Sequence, residues 1–430
     1  MQAGQGDAPR YPPRVSGCDV AAAAVLAALP PEVDAAVVHR DDRVIVGVEP
    51  DLVVTASGGA ALAELDRLPP GWWAGYLAYD LGRAVERVEP RTPHDPLLAD
   101  LVLARFPARL ELDRTTGRGE VVGSGSAAAL LRRAAAGGAV PAAPRPLPPF
   151  RSNLDRGAFE AGVRSVLDSI AAGDCYQVNV CRRVTAAAPA DPVALFAALA
   201  ARNPAPHAAF LRFAGDDGRS PLAVVSASPE RFLAWRGAAV ETRPVKGTAR
   251  DPRGLEASAK DRAENVMIVD LARNDLGRVC EPGSITVPSL CAVEPHPGLH
   301  HLVSTVRGRR RPETTTGDLV RATFPPASVT GAPKPRVLQI IEDLEPNRRG
   351  VYCGAIGWID TEHDAGDLNV AIRTFVLRDG RTELGVGAGI VADSDPGREW
   401  EETELKAARL LAVADGADPP TIAPLAVGTG

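Results

Sequence analysis

The first third of the chain consists of short apolar runs separated by glycine and proline. The runs AAVVHR, VIVGVEP and LVVTA are followed by WWAGYLAYDLG at 72–82 and by LLADLVLARFPARLELD. Short apolar runs bounded by turn residues are typical of strands, and their close succession favours antiparallel pairing. We therefore predict a β-rich N-terminal segment over residues 1–123.

The composition changes at residues 124–150. This stretch starts rich in glycine and serine, passes a short Ala-rich helical pattern and ends rich in proline. Such a composition is typical of a linker or crossing segment. The prediction is therefore a β-rich segment at 1–123, a linker at 124–150, a motif-dense domain at 151–412 and a tail at 413–430.

Helical and strand patterns alternate in residues 151–412. Helical spacing of apolar residues is found in LDRGAFEAGVRSVLDSIAAGD, DRAENVMIVDLARNDLGRV, GAPKPRVLQIIEDLEP and GREWEETELKAARLLAV. PLAVVSASPERFLAW and AAVETRPVKGTAR predict a pair of strands. A two-residue Asp-Gly turn is predicted between LNVAIRTFVLRDG and TELGVGAGIVA.

Composition excludes several classes of protein. With 430 residues, 45% apolar and 24% charged, the chain is too large for one simple core and too apolar for disorder. A net charge of -6 without a basic stripe argues against a nucleic-acid partner. No apolar run reaches the ~20 residues of a membrane helix, and MQAGQGDAPR has no apolar signal core. We expect a cytoplasmic protein without membrane contact.

The six cysteines form no CxxC pair, and the seven histidines show no HExxH spacing. These patterns argue against zinc and dithiol chemistry. None of the cysteines lies on a GxCxG-like nucleophile elbow, and Cys353, the nearest, is expected in a strand. The chain therefore lacks the sequence signature of a glutaminase.

Only four of the 48 basic residues are lysine: Lys246, Lys260, Lys334 and Lys406. Arginine stays protonated, whereas lysine can lose its proton and act as a nucleophile or base. Lys246 comes before a glycine at the end of a predicted strand. Burial beside Arg243 or Arg250 would lower its pKa, while a structural ion pair is the alternative.

Two predicted helices carry paired carboxylates. Glu399, Glu402 and Lys406 lie at i, i+3 and i+7 of the closing helix. Asp261 and Glu264 lie at i and i+3 of an earlier one. Carboxylate oxygens suit a hard cation such as Mg²⁺, and two solvated charged faces are the alternative.

A third group of residues has the chemistry of an anion site. It comprises Arg373, Ser328, Thr330 and the glycines of GVGAGIVA, namely Gly385, Gly387 and Gly389. Glycine lets a backbone N–H approach an anion closely, and arginine can bind a carboxylate through two hydrogen bonds. A surface ion pair and relief of strand crowding are the alternatives.

Taken together, nine strings resemble the chorismate-utilising enzymes in order: SASPERFL, RPVKGT, SAKDRAENVMIVDLARNDLG, GLHHLVSTVRG, ATFPPASVTGAPK, RGVYCGAIGWID, LNVAIRT, GVGAGIVADSDP and EWEETELKA. This family includes component I of aminodeoxychorismate synthase and of anthranilate synthase. The likeness is strong over 151–412 and weaker before, where GWWAGYLAYDLGR is similar to the N-terminal part of the family. It implies an α+β fold with two large antiparallel β-sheets packed as a sandwich and helices outside.

The resemblance also implies roles for individual residues. Glu264 and Glu402 match the positions that hold Mg²⁺ on the substrate. Glu399 and Asp261 match positions in the outer coordination sphere of the metal. Glu230 in SPERF matches the general acid/base. Groups that bind or adjoin chorismate are matched by Tyr352, Arg373, Gly387, Gly389, Lys406, His301 and Thr248.

Two positions distinguish reactions within the family. Lys246 in PVKGT is similar to PIKGT of aminodeoxychorismate synthases, whereas anthranilate and isochorismate synthases have alanine there. Gln177 stands where isochorismate-forming members have a lysine, which argues against hydroxylation. The resemblance therefore implies amination of chorismate at carbon 4, with ammonia from a separate glutamine amidotransferase subunit.

Several alternatives stay open. Within the family they are anthranilate synthase component I and 2-amino-2-deoxyisochorismate synthase. A non-catalytic relative is disfavoured because buried charges are costly, and such a protein would have no use for the four that this chain contains. A Schiff-base lyase is disfavoured because it needs no paired carboxylate helices. NPAPHAAF resembles the NPSPY feedback loop of anthranilate synthases, but His207 replaces its aromatic residue, so we do not expect feedback by tryptophan.

Overall fold

Two antiparallel β-sheets form the centre of the computed structural model, which describes residues 16–93, 95–215, 220–296 and 299–417. The strands of the described residues are β1 Ala35–Arg40, β2 Arg43–Val48, β3 Leu52–Ala56, β4 Trp72–Leu77, β5 Leu101–Arg105, β6 Ala108–Asp113, β7 Gly119–Gly123, β8 Arg151–Ser152, β9 Gln177–Ala186, β10 His207–Phe213, β11 Leu222–Ser228, β12 Arg231–Arg236, β13 Ala239–Arg243, β14 Val245–Ala249, β15 Thr286–His296, β16 Leu299–Arg309, β17 Gly331–Ala332, β18 Ala355–Asp360, β19 Ala365–Val370, β20 Thr374–Arg378 and β21 Arg381–Ile390.

Helices cover the outer faces of these sheets. The α-helices of the described residues are α1 Ser16–Ala27, α2 Gly59–Leu65, α3 Gly82–Val85, α4 Gly125–Gly137, α5 Arg156–Ala171, α6 Pro192–Arg202, α7 Pro252–Ala257, α8 Ala259–Gly277, α9 Thr316–Thr323, α10 Lys334–Leu344 and α11 Pro396–Ala414. None of the helices in the described ranges is long and apolar enough to cross a membrane.

Each sheet combines strands from both ends of the chain. The first has the order β17-β9-β21-β20-β11-β10-β1-β2-β6-β7, with β8 beside β9. The second has the order β14-β16-β13-β12-β19-β18-β4-β5-β3, with β15 beside β16. An apolar cluster that includes Ile45, Trp72, Leu211 and Trp358 lies between the two sheets. The predicted α+β sandwich is therefore confirmed.

The segments predicted from composition contribute to the same two sheets. Strands from residues 1–123 complete both sheets. The segment 124–150 contains α4, whose Ala128 and Leu131 are buried on the outer face of the first sheet. The family fold thus uses these stretches as part of one layered structure. Residues 418–430 of the predicted tail lie outside the described residues.

One local prediction, the Asp-Gly hairpin, is confirmed, and two others need correction. The turn between β20 and β21 has positive φ at Asp379 and Gly380, as an Asp-Gly hairpin requires. Cys353 lies in a turn before β18, with φ 65°, and the prediction of a strand there is wrong. The first third also contains α1, because its run of alanines favours a helix.

Two crossings between the sheets create the functional cleft. The chain passes from β11 to β12 at Glu230 and from β19 to β20 at Arg373. The crossings are joined by hydrogen bonds from Ala227 N–H to the Arg373 carbonyl at 3.0 Å and from Val370 N–H to the Glu230 carbonyl at 3.0 Å. Glu230 and Arg373 therefore meet where the sheets join.

Candidate active site

Lys246 lies in a β-bulge of the edge strand β14. Val245 pairs with Val303 and Thr248 with His301, so β14 has one more residue than β16 between these pairs. Gly247 adopts φ 81°, a conformation that glycine tolerates best. Because a bulge changes the direction of the side chains around it, the lysine is turned into the cleft.

The surroundings of the Lys246 amine lower its pKa from the ordinary value of a lysine. Burial lowers the pKa of Lys246, and the nearby charge of Lys406 acts in the same direction. Glu264, Glu230 and Glu402 oppose this effect. Nζ would lie only 3.3 Å from a β-carbon on Gly389.

Among the residues that the structure describes, no carboxylate oxygen lies within 4.0 Å of the Lys246 ammonium. A desolvated amine without a tight ion pair is suited to nucleophilic attack.

Glu230 provides a buried carboxyl beside this amine. Its residue is 4% exposed, and burial raises the pKa of Glu230 to about 7. The Ser328 hydroxyl, the Lys246 charge and the Val245 N–H favour the ionised form but do not outweigh burial. A carboxyl that titrates near neutrality can both donate and accept a proton.

Helices α8 and α11 bring the predicted acidic residues to one side of the cleft. Nζ of Lys260 lies 3.9 Å from Glu264 and 3.9 Å from Glu399, so it joins the two helices. Burial raises the pKa of both carboxyls. Ser394 donates a 2.7 Å hydrogen bond to Glu399, and Asp261 packs against Gly247.

Glu402 is held by Lys406 one helical turn further along α11. Their side chains form a 2.6 Å ion pair, and Lys406 also donates to the Gly387 carbonyl at 2.9 Å. Burial alone would raise the pKa of Glu402, but the Lys406 and Lys260 charges lower it overall. Glu402 therefore stays ionised and accessible from the cleft.

This donor set fits Mg²⁺ bound together with a substrate. Glu264, Glu402, Glu399 and Asp261 offer only oxygen atoms, the type of ligand that Mg²⁺ prefers. In the described parts of the chain, no three of them bring oxygens within 4.8 Å of one another. Mg²⁺ commonly takes one or two carboxylates and completes its shell with substrate and water oxygens.

The three glycines of β21 have different neighbours. A β-carbon on Gly385 would lie 2.2 Å from the Tyr352 ring, and one on Gly387 would lie 2.6 Å from the Cys181 sulfur. Of these three glycines, only Gly389 faces the Lys246 amine. The missing side chain of Gly385 makes room for Tyr352, and the anion-holding role of Gly385 stays a prediction.

Tyr352 packs beneath the cleft. Its hydroxyl lies 3.9 Å from the Cys181 thiol, and burial raises the pKa of Tyr352 well above its ordinary value. The phenol is therefore neutral and available as a hydrogen-bond donor. Its contact with a substrate carboxylate stays a prediction.

His301 closes the other side of the cleft. Its Nδ1 is 2.8 Å from the Thr248 hydroxyl. The centroid of its ring lies 4.6 Å from that of the His296 ring, in an edge-to-face arrangement. Burial, with help from the charge of Arg373, lowers the pKa of His301 to about 2. His301 is therefore a neutral hydrogen-bonding group.

The structure adds residues that the sequence reasoning did not assign to the site. Lys260 is one of the four lysines, but the sequence did not indicate that it lies between α8 and α11, because residue order does not show that these two helices approach each other. Thr330 donates to the Pro326 carbonyl at 2.9 Å, so its predicted anion-binding role is wrong. Lys334 forms a buried pair with Asp275 at 2.8 Å.

The chain belongs to the chorismate binding enzyme family, which it matches over residues 32–412. It is 40% identical to aminodeoxychorismate synthase component 1 of Klebsiella aerogenes, covering 78% of this chain and 76% of the relative. It is 38% identical to anthranilate synthase component 1 of Streptomyces coelicolor, covering 85% and 77%. Anthranilate synthase component I from Streptococcus pneumoniae has a TM-score of 0.74 at 28% identity, covering 86% of this chain and 92% of that structure.

Proposed function

We propose that the protein is the chorismate-aminating component of aminodeoxychorismate synthase. It would convert chorismate and ammonia to 4-amino-4-deoxychorismate, toward 4-aminobenzoate. The main supporting observation is Lys246, a desolvated amine in a bulge that lies near both Glu230 and the acidic helices. The relatives named aminodeoxychorismate synthase component 1 support the same function.

In the proposed reaction, Lys246 Nζ bonds to ring carbon 2 while the double bonds shift and the carbon 4 hydroxyl leaves. Protonated Glu230 supplies the proton that turns this hydroxyl into water. Ammonia then bonds to carbon 4, the double bonds shift back and the carbon 2–nitrogen bond breaks. Glu230 recovers a proton from the entering ammonia, and the net change is replacement of hydroxyl by amine. Covalent catalysis divides one difficult substitution into two easier steps.

We also propose Mg²⁺ as the cofactor, with Glu264 and Glu402 as its ligands. Glu399 and Asp261 would lie in its outer coordination sphere. When bound, Mg²⁺ would neutralise a substrate carboxylate and orient the ring. Lys406 and Arg373 add positive charge for a substrate that is a dianion. This local charge is needed because the chain as a whole is acidic, with a net charge of -6.

The ammonia is proposed to come from a separate glutamine amidotransferase subunit. All six cysteines of the chain are buried free thiols, so an exposed glutaminase nucleophile is not among them. The relatives named component 1 are consistent with a second component. Ammonium salts should replace this subunit in vitro.

Anthranilate synthase component I is the second candidate, because relatives with that name are almost as similar. The deciding assay combines the protein with chorismate, Mg²⁺ and ammonium and identifies the product by mass. Aminodeoxychorismate should form without pyruvate, whereas anthranilate formation releases pyruvate. Pyruvate released in step with product would refute the proposal.

A pair of variants tests the role of the lysine. Lys246→Ala should lose most amination at carbon 4. Lys246→Arg should lose it too, because guanidinium keeps the charge but stays protonated. Wild-type rates of the same product in either variant would exclude a covalent role for Lys246.

A further inference from the structure

The ammonium of Lys260 lies between the two helices that carry the proposed metal ligands. Its Nζ is 3.9 Å from Oε1 of Glu264 on α8 and 3.9 Å from Oε1 of Glu399 on α11. Among the residues that the structure describes, no other basic side chain lies within 4.0 Å of either carboxylate. The two carboxylates therefore share one close counter-ion.

This double contact is loose. The separation of 3.9 Å exceeds the ~2.7–3.2 Å of an N–H···O hydrogen bond, and the Lys260 side chain is 53% exposed. Lys406 differs, because it pairs with Glu402 at 2.6 Å and also donates to the Gly387 carbonyl at 2.9 Å. Of these two lysines, Lys260 is the one that can leave its partners without breaking a hydrogen bond to a described residue.

The stability of α8 does not explain the place of Lys260. The residue is in the first turn of this helix, which begins at Ala259 and is capped by the Ser258 side chain. The positive end of the helix dipole lies there, and it favours an anion such as Asp261 over a cation. A lysine at this point therefore indicates a role toward the acidic residues of the cleft.

These acidic residues repel one another. Burial raises the pKa of Glu264 and of Glu399, and the charge of Glu402 adds to the increase in both. The charge of Lys260 opposes the increase in both, and it helps to lower the pKa of Glu402. A cation between the helices is therefore favourable, and a dication would offset the repulsion more fully.

We propose that Lys260 is an exchangeable counter-ion that competes with Mg²⁺ for the carboxylates between α8 and α11. Without bound metal, its ammonium offsets the repulsion between Glu264 and Glu399. When Mg²⁺ binds, the lysine moves away into solvent, to which its side chain is already exposed. Because two cations compete for the same carboxylates, Lys260 weakens Mg²⁺ binding. The inference rests on the proposed function for the metal and does not depend on the product.

The test is a calorimetric titration of the full chain with MgCl₂, with chorismate present and ammonium absent, so that metal binding is measured without amination. Lys260→Met should bind Mg²⁺ about 10-fold more tightly, because it removes a positive charge close to a dication. Lys260→Arg keeps the charge and should not bind Mg²⁺ more tightly than the wild type. Arg273→Met is the matched control and should keep the wild-type affinity. It removes an equally exposed cation, 53%, which pairs with Asp270 further along α8.

Displacement of the lysine has a second readout, which uses the wild-type protein. The chain has only four lysines, so mass spectrometry can follow the acetylation of each one by N-hydroxysuccinimide acetate. Saturating Mg²⁺ should raise the rate at Lys260, because the amine moves from the carboxylates into solvent. The rate at Lys334, which is buried with Asp275, should stay unchanged.

Equal or weaker Mg²⁺ binding by Lys260→Met would overturn the proposal, since removal of a lysine that only braces α8 against α11 would loosen the site. Tighter binding by Lys260→Arg, or unchanged acetylation of Lys260 with Mg²⁺, would overturn it as well. A wild-type protein that binds no Mg²⁺ would refute both this inference and the proposed cofactor. If Lys260→Met binds Mg²⁺ more tightly but the enzyme releases pyruvate with its product, the inference stands and the proposed function does not.

Discussion

Gly247 packs so closely against Asp261 that a β-carbon on the glycine would lie 2.9 Å from Cγ of the aspartate. This contact links the bulge that contains Lys246 to the first turn of α8, which carries Asp261 and leads to Glu264. The proposed nucleophile and a proposed metal ligand are thus positioned by one backbone contact. A change at Gly247 should affect both.

We predict that Gly247→Ala lowers both stability and activity. The residue has φ 81°, where a side chain costs about 1–2 kcal/mol, and its β-carbon would displace Asp261. A shift of Lys246 by about 1 Å should lower kcat/KM about 100-fold. Gly254→Ala is the matched control, since its β-carbon meets no atom within 4 Å. Equal activity of the two variants would contradict the positioning role.

We predict that the free energy of unfolding of the wild-type protein falls as pH rises, because of Glu230, and that Glu230→Gln removes this dependence. The folded pKa of about 7 lies above the ordinary 4.5, so the folded state binds more protons between these values. Wild-type stability should therefore fall as pH rises from 4.5 to 7, by about 3 kcal/mol at 1.36 kcal/mol for each unit of pH. Urea unfolding at pH 4.5 and pH 8 measures the difference. The exposed Glu256→Gln should retain the wild-type slope, and a slope that persists in Glu230→Gln would disprove the assignment.

We predict that Glu402→Gln loses Mg²⁺-dependent turnover. A ligand carboxylate contributes charge that an amide cannot replace, so kcat/KM should fall about 100-fold or more at saturating Mg²⁺. The measurement is a Mg²⁺ titration of product formation. Glu401→Gln, the exposed neighbour on α11, should keep the wild-type titration. An unchanged Mg²⁺ dependence of Glu402→Gln would exclude it as a ligand.

We predict that Lys334→Met destabilises the protein by about 3–5 kcal/mol. Its ammonium is 2.8 Å from Asp275 and 2.9 Å from the Thr323 carbonyl. The change leaves this carbonyl without its donor and leaves a buried carboxylate whose remaining cation, Arg278 at 3.0 Å, is partly exposed. Lys260→Met removes a half-exposed lysine and should change the free energy of unfolding by no more than about 0.5 kcal/mol. Urea unfolding distinguishes them. A similar, small effect of both substitutions would mean that the Lys334 pair is not structural.

The four lysines show how far a residue count could predict the site. Lys246, Lys260 and Lys406 lie together in the cleft, as expected if their retention reflects chemistry. Lys334 does not, because it neutralises Asp275 inside the protein. The count alone could not separate these roles, since catalytic and structural lysines look the same in a sequence.

The sequence by itself determined the family, the α+β sandwich and the residue types of the cleft. Strand periodicity and the ordered motifs are local properties of the sequence, and they do not depend on how the chain packs. Tertiary structure decided which glycine faces Lys246 and which carboxyls are desolvated. These depend on the crossing of two sheets and on the approach of α8 to α11, which join residues far apart in the chain. Burial and the distance between charges set their protonation, and neither can be read from residue order.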